Sequence, residues 1–125
     1  MMPEEKEQLL ALFDDDHKWC RDAEAHDANG DAVRYDEASA VAWDITGALC
    51  RLFGWRRACQ LFTQLDRHIN GAGAVARRPV RHAEIASMVA LQAFNDRLET
   101  TFEMICGQLE TMPVWHGASH SLERT

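Results

Sequence analysis

No apolar run in this chain approaches the roughly 18 residues that cross a bilayer, so no membrane span is expected and a membrane is not an expected partner. The N-terminus, Met1-Met2-Pro3-Glu4-Glu5, is acidic and lacks an apolar core, so it does not read as a signal peptide. The expected location is the cytoplasm. The four cysteines, at 20, 50, 59 and 106, form no C-x-x-C pair. Each falls on an expected apolar helical face, where reduced cysteines behave as small buried hydrophobes. A glycine-rich phosphate loop is missing. No serine or cysteine sits on a glycine-rich strand-to-helix turn, which removes that signature of nucleophilic catalysis. Internal repeats and low-complexity segments are absent as well.

What remains is an ordinary soluble composition. The 125 residues, 46% hydrophobic and 26% charged, suit one domain with a single core. Net charge is -7, unevenly spread: residues 1–50 carry 13 Asp/Glu against 4 Lys/Arg, and residues 51–81 carry 7 Arg against Asp66 alone. The acidic total argues against direct nucleic-acid binding. The arginine-rich middle could still meet an acidic partner.

Hydrophobic spacing predicts an all-α fold, a compact bundle of about five helices in a single domain. The first covers residues 5–26, with Leu9, Leu12, Phe13, Trp19 and Cys20 near one stripe. Asp14-Asp15-Asp16 interrupts it, and three adjacent helical positions diverge by about 100° each, so they would not converge on one ion. Residues 27–36 form a turn in which Ala32–Tyr35 has some strand character. The second helix runs from about Asp36 to Phe53, capped by Asp36 or Ser39. Gly47 inside it marks a close helix crossing. Gly54 breaks the run, and a third helix follows over 55–69. Residues 70–80 read as a loop, and Pro79 suits the first turn of a helix over 80–94. A fifth helix covers 97–111, with capping-box spacing at Thr100-Thr101-Phe102-Glu103. The domain is expected over 1–112 and a loose tail over 113–125, anchored by Trp115.

Metal and cofactor sites are not expected. Asp27-Ala28-Asn29-Gly30-Asp31 departs from a calcium loop, because Ala32 and Ala38 stand where glycine and glutamate are needed. An Asx-type turn explains it better. His17 and Cys20 have ligand spacing on the predicted helix, but no second pair completes a zinc set. His116 and His120 sit in the tail. Asp44 beside Trp43, and Asn95-Asp96 after Phe94, are the polar groups most apt to point inward. Trp19, Trp43, Trp55 and Trp115 suit a core first, an interface second and a ligand cage third.

Trp19, Ala25, Asp27, Gly30, Val33, Ala42-Trp43, Gly47-Ala48-Leu49 and Phe94-Asn95-Asp96 form a spaced pattern. In this pattern the chain resembles an uncharacterised family of small all-helical bacterial and phage proteins, over about residues 9–111. The likeness departs at 70–80 and in the tail. It implies a helical fold and brings no reaction with it.

The expected function is a non-enzymatic protein-interaction module. One concrete version is a phage or mobile-element inhibitor of a nucleic-acid-handling complex, its acidic half occupying a basic groove. The binding residues would come from Trp19, Trp43, Asp44, Arg56, Arg57, Asn95 and Asp96. Two alternatives stand beside it. One is a small-ligand or enzymatic helical domain with a pocket near Trp19, Asp44, Asn95 and Asp96. The other is a structural homodimer.

Overall fold

Local hydrogen bonds decide where the helices start, and they move several boundaries. The computed structural model describes residues 1–79 and 81–115. Helix α1 (Pro3–Leu12) opens with proline in its first turn and the Glu5 carboxylate accepting the Met2 N–H at 2.7 Å. It stops at Leu12, so the helix expected to reach residue 26 is half its predicted length. The cause lies in the aspartates. Asp15 accepts the His17 N–H at 2.8 Å and caps a single 3-10 turn, Asp16–Lys18. Beyond it the Cys20 N–H donates to the Trp43 carbonyl at 3.1 Å, which pulls the chain into an extended path. His17 and Cys20 therefore share no helix.

Three two-residue strands follow: β1 (Ala25–His26), β2 (Ala32–Val33) and β3 (Ala42–Trp43). They form an antiparallel sheet in the order β2-β1-β3, with Ala25 opposite both Val33 and Trp43. The β1–β2 link is an Asx turn: Asp27 Oδ1 accepts the N–H groups of Asn29 and Asp31, and Gly30 takes φ +82°. The fold is thus mostly helical with a small sheet, and not purely all-α.

Helix α2 (Ile45–Asn70) is the centre of the molecule and touches every other helix. It does not begin at Asp36 or Ser39. Asp44 caps it, accepting the Gly47 N–H at 2.6 Å and the Thr46 hydroxyl at 2.9 Å. Residues 36–43 are spent instead on a loop and β3. Gly54, at φ 79° and ψ 163°, splits α2 into two arms. That conformation is essentially open only to glycine. Gly47 does mark a close approach, but of the irregular segment leading into β1 rather than of a helix: a Cβ there would overlap the Glu24 carbonyl oxygen.

The expected loop over 70–80 contains a short helix, α3 (Ala72–Ala76). It is held by Asp66, fully buried on α2, which accepts from Asn70, Arg78 and Ser87. Helix α4 (Ala83–Asp96) starts after His82 at φ 62°, leaving Pro79 outside it. Helix α5 (Phe102–Thr111) is capped by Thr101, whose hydroxyl accepts the Met104 N–H at 3.2 Å. Leu9, Ile45, Leu49, Leu61, Phe62, Leu65, Leu91, Ile105 and Leu109 fill one core between these helices. After α5 the chain returns to its start, where the Trp115 N–H meets the Met1 carbonyl at 2.8 Å. Among the described residues no helix is long and apolar enough to cross a membrane.

Candidate functional site

The C-terminal end of α4 meets the N-terminal end of α2 at a polar junction, with Asn95 fully buried at its middle. Its Oδ1 accepts the Trp19 indole N–H at 2.7 Å and the Ile45 N–H at 3.2 Å. Its Nδ2 donates to the Cys20 carbonyl and to Asp96 Oδ1, both at 3.0 Å. Two acceptor lone pairs and two donors are the whole capacity of an amide, and all four are used. Asp96 also receives the Asp22 N–H at 2.9 Å, and Thr100 donates to the Phe94 carbonyl at 2.7 Å. Trp19, Asp44, Asn95 and Asp96 are therefore brought together, as their sequence roles suggested. What joins Trp19 and Asn95 is bonding within the protein, which leaves neither with a free group for a ligand.

Beside this junction lies a depression of about 180 Å³, bordered by Asp22, Glu24, Asp44, Gln92 and Asp96. Burial raises the Asp44 carboxyl to about 6, against the opposing hydrogen bonds from Gly47 and Thr46 and with help from Asp96 and Glu24. Asp22 and Glu24 escape a periodicity reading, since they lie on irregular chain and gain their place only through the sheet. Burial likewise pushes the thiols of Cys20 and Cys50 up to about 12, so neither supplies a thiolate. All four cysteines are free.

The other residues singled out by sequence lie elsewhere. Trp43 is buried, donates to the Tyr35 carbonyl at 3.1 Å and lies under the Arg51 guanidinium. Arg57 forms a two-pronged pair with Glu5 at 2.6 and 2.7 Å, tying α2 to α1. Arg56 is exposed. The four tryptophans do not converge. Trp55 and Trp115 are 48% and 62% exposed, while Trp43 is buried and Trp19 half-buried.

Asp15, Asp16 and His17 converge, a grouping that the helical geometry expected of Asp14-Asp15-Asp16 did not anticipate. His17 Nδ1 lies 2.8 Å from Asp15 and 3.1 Å from Asp16, because the 3-10 turn folds the three side chains together. Hydrogen bonding to Asp15 raises the histidine pKa. These groups satisfy one another on an exposed turn. His116 and His120 lie outside the described residues.

A second surface stands out on the α2–α4 face. Trp55 and Met88 line one groove, and Ile85 and Val89 stand a turn apart beside Met88. Trp55, Ile85 and Val89 are 48%, 39% and 55% exposed. Seven arginines occur over residues 51–81, on α2 and on the chain that leads to α4. Among the described residues only Arg57 and Arg78 form ion pairs there, leaving Arg51, Arg56, Arg67, Arg77 and Arg81 without a carboxylate partner. Sequence periodicity assigns Ile85 and Val89 to the apolar stripe. It does not reveal that α2 covers only part of that stripe.

No family model, no curated protein and no solved structure matches this chain.

Proposed function

We propose that this chain is a non-enzymatic protein-interaction module that docks an acidic, partly apolar segment of a partner on its α2–α4 face. The observation that carries this is the exposure of Trp55 on α2 and of Ile85 and Val89 on α4, near in sequence to the arginines of 51–81, most of which have no carboxylate partner among the described residues. Exposed aromatics and arginines are the residue types that dominate binding energy. Uncompensated positive charge selects a negative partner. The finer version is a phage or mobile-element inhibitor of a nucleic-acid-handling complex, and the likeness to a bacterial and phage family belongs with it. Its support is the exposed carboxylates of Asp14, Asp15, Asp16, Asp31, Asp36 and Glu37, which give the module a negative face as well.

The test is a two-component titration. A protein captured on the wild-type chain is purified and titrated against wild type, Trp55→Ala and Val89→Glu. Both variants should weaken binding by about tenfold or more, the loss typical of a hot-spot side chain. Unchanged affinity overturns the assignment of this face. Self-association of the chain that is abolished by Val89→Glu would place a second copy there, as a homodimer requires.

A ligand-binding or catalytic pocket at Asp44 is the second reading. Its support is the carboxylate-lined depression and the raised Asp44 carboxyl, a combination found at many working sites. An Asp44→Asn variant that keeps its partner affinity but loses a small-molecule binding signal would favour it.

A further inference from the structure

Away from both surfaces, a cavity of about 380 Å³ lies between the second arm of α2 and the segment that follows α5. Its apolar wall is made by Met1, Met112, Val114 and Trp115. Met1 and Met112 are each 4% exposed and form the floor, while the Trp115 ring stands open at the lip. Thioether side chains adapt to the shape of an apolar guest. The polar side chains lie on α2, on Gln64, Arg67 and His68, and the Met1 amino group lies beside them. Gln64 already accepts from the Met1 amino group, and His68 Nε2 already meets the Thr111 hydroxyl at 2.8 Å. Arg67 is exposed and has no side-chain hydrogen bond or ion pair among the described residues. Among the described residues no carboxylate lines the cavity, although the chain carries 20 acidic residues.

An apolar wall beside Arg67, which is unpaired among the described residues, selects an amphipathic anion. We propose that this cavity binds a free medium-chain carboxylate, with its hydrocarbon on the two methionines and its headgroup on Arg67. The volume is in the range of small-molecule sites, and apolar walls with few polar groups are their usual make-up. A guanidinium pairs a carboxylate through two parallel hydrogen bonds, which a neutral headgroup cannot match. This site is independent of the α2–α4 face, so either assignment can fail without the other.

Calorimetric titration of the full chain with decanoate, decanol and decylammonium tests the proposal. Decanoate should bind one-to-one and saturably, about tenfold or more tighter than decanol, and decylammonium should bind least. Arg67→Gln, at an exposed position, should cost decanoate about tenfold and leave decanol unchanged. Val114→Trp, which fills the chamber from a half-exposed position, should abolish binding of both, with far-ultraviolet circular dichroism confirming the fold. Equal affinity for decanoate and decylammonium overturns the proposal. So does Arg67→Gln binding decanoate as wild type does, or the absence of saturable decanoate binding to the full chain.

Discussion

Two buried aspartates respond to acid in opposite directions. Asp44 has a folded-state carboxyl raised to about 6 from 3.8, mainly by burial. A group raised on folding contributes stability at acid pH, and that contribution is lost as the pH climbs from about 4 through about 6. Two units correspond to on the order of 2–3 kcal/mol. For Asp66 burial also pushes upward, but hydrogen bonds from Arg78, Asn70 and Ser87 outweigh it and hold the carboxyl below 3.8. Its contribution is present above about 4 and disappears in stronger acid. Urea unfolding should therefore show a stability gain from pH 7 to pH 5. Asp44→Asn keeps an oxygen for the cap and should flatten that gain. An Asp44→Asn variant whose stability still rises over this interval would mean that another group is responsible. Gly47 gives the second residue-level prediction. Gly47→Ala should destabilise by about 1–3 kcal/mol, since its Cβ meets the Glu24 backbone and not a movable side chain. A thermal melt unchanged from wild type would contradict the contact with the Glu24 backbone.

At the level of elements, the Asp66–Arg78 pair secures α3 and the chain leading to α4. Asp66 is fully buried and the Arg78 side chain is 27% exposed. Removing one partner of a buried pair strands the other charge, at about 3–5 kcal/mol. Arg78→Ala should fall near the lower end, about 3 kcal/mol, because arginine keeps some contact with water. Amide exchange should accelerate over 72–82 first, and uniform acceleration across the chain would mean that the clamp is not local. The helical half of the fold was legible because its signals are local. Gly54 broke α2, and the cap of α5 fell at Thr101, one residue past the Thr100 that the capping-box spacing with Glu103 implied. Residues 19–44 were legible only at the Asx turn of Asp27 and in the strand character from Ala32. Their strands are two residues long, too short for an alternating pattern, and are fixed by Trp43 and Ala25 meeting across the chain. Ala38, Val41 and Ala42 carry a helical spacing that Asp44 overrides by starting α2 eight residues late. The site followed the same rule. Asn95-Asp96 beside Phe94 marked an inward polar group, but its bond to Trp19 spans 76 positions and leaves no trace in local pattern.

Across the whole molecule, charge is segregated along the sequence. Among the described residues a single ion pair, Glu5–Arg57, joins the acidic residues 1–50 to the basic residues 51–81. Exposed pairs contribute about 0–1 kcal/mol each, so salt should alter folding stability little. Partner binding should instead weaken markedly as salt rises to about three times physiological, where the screening length falls to about 4–5 Å. A dissociation constant indifferent to salt would leave Trp55, Ile85 and Val89 as the whole basis of docking. The Asn95 junction also constrains how fast the chain can fold. It gathers Trp19, Cys20 and Ile45 around one amide on α4, so most of the backbone must be in place before any of these bonds can close. Closing such long loops is entropically costly and comes late, after the local helices. Bonds made after the rate-limiting barrier are felt only on the way out. Asn95→Ala should accordingly hasten unfolding in stopped-flow traces while leaving the refolding limb nearly unmoved, making this amide a latch on lifetime.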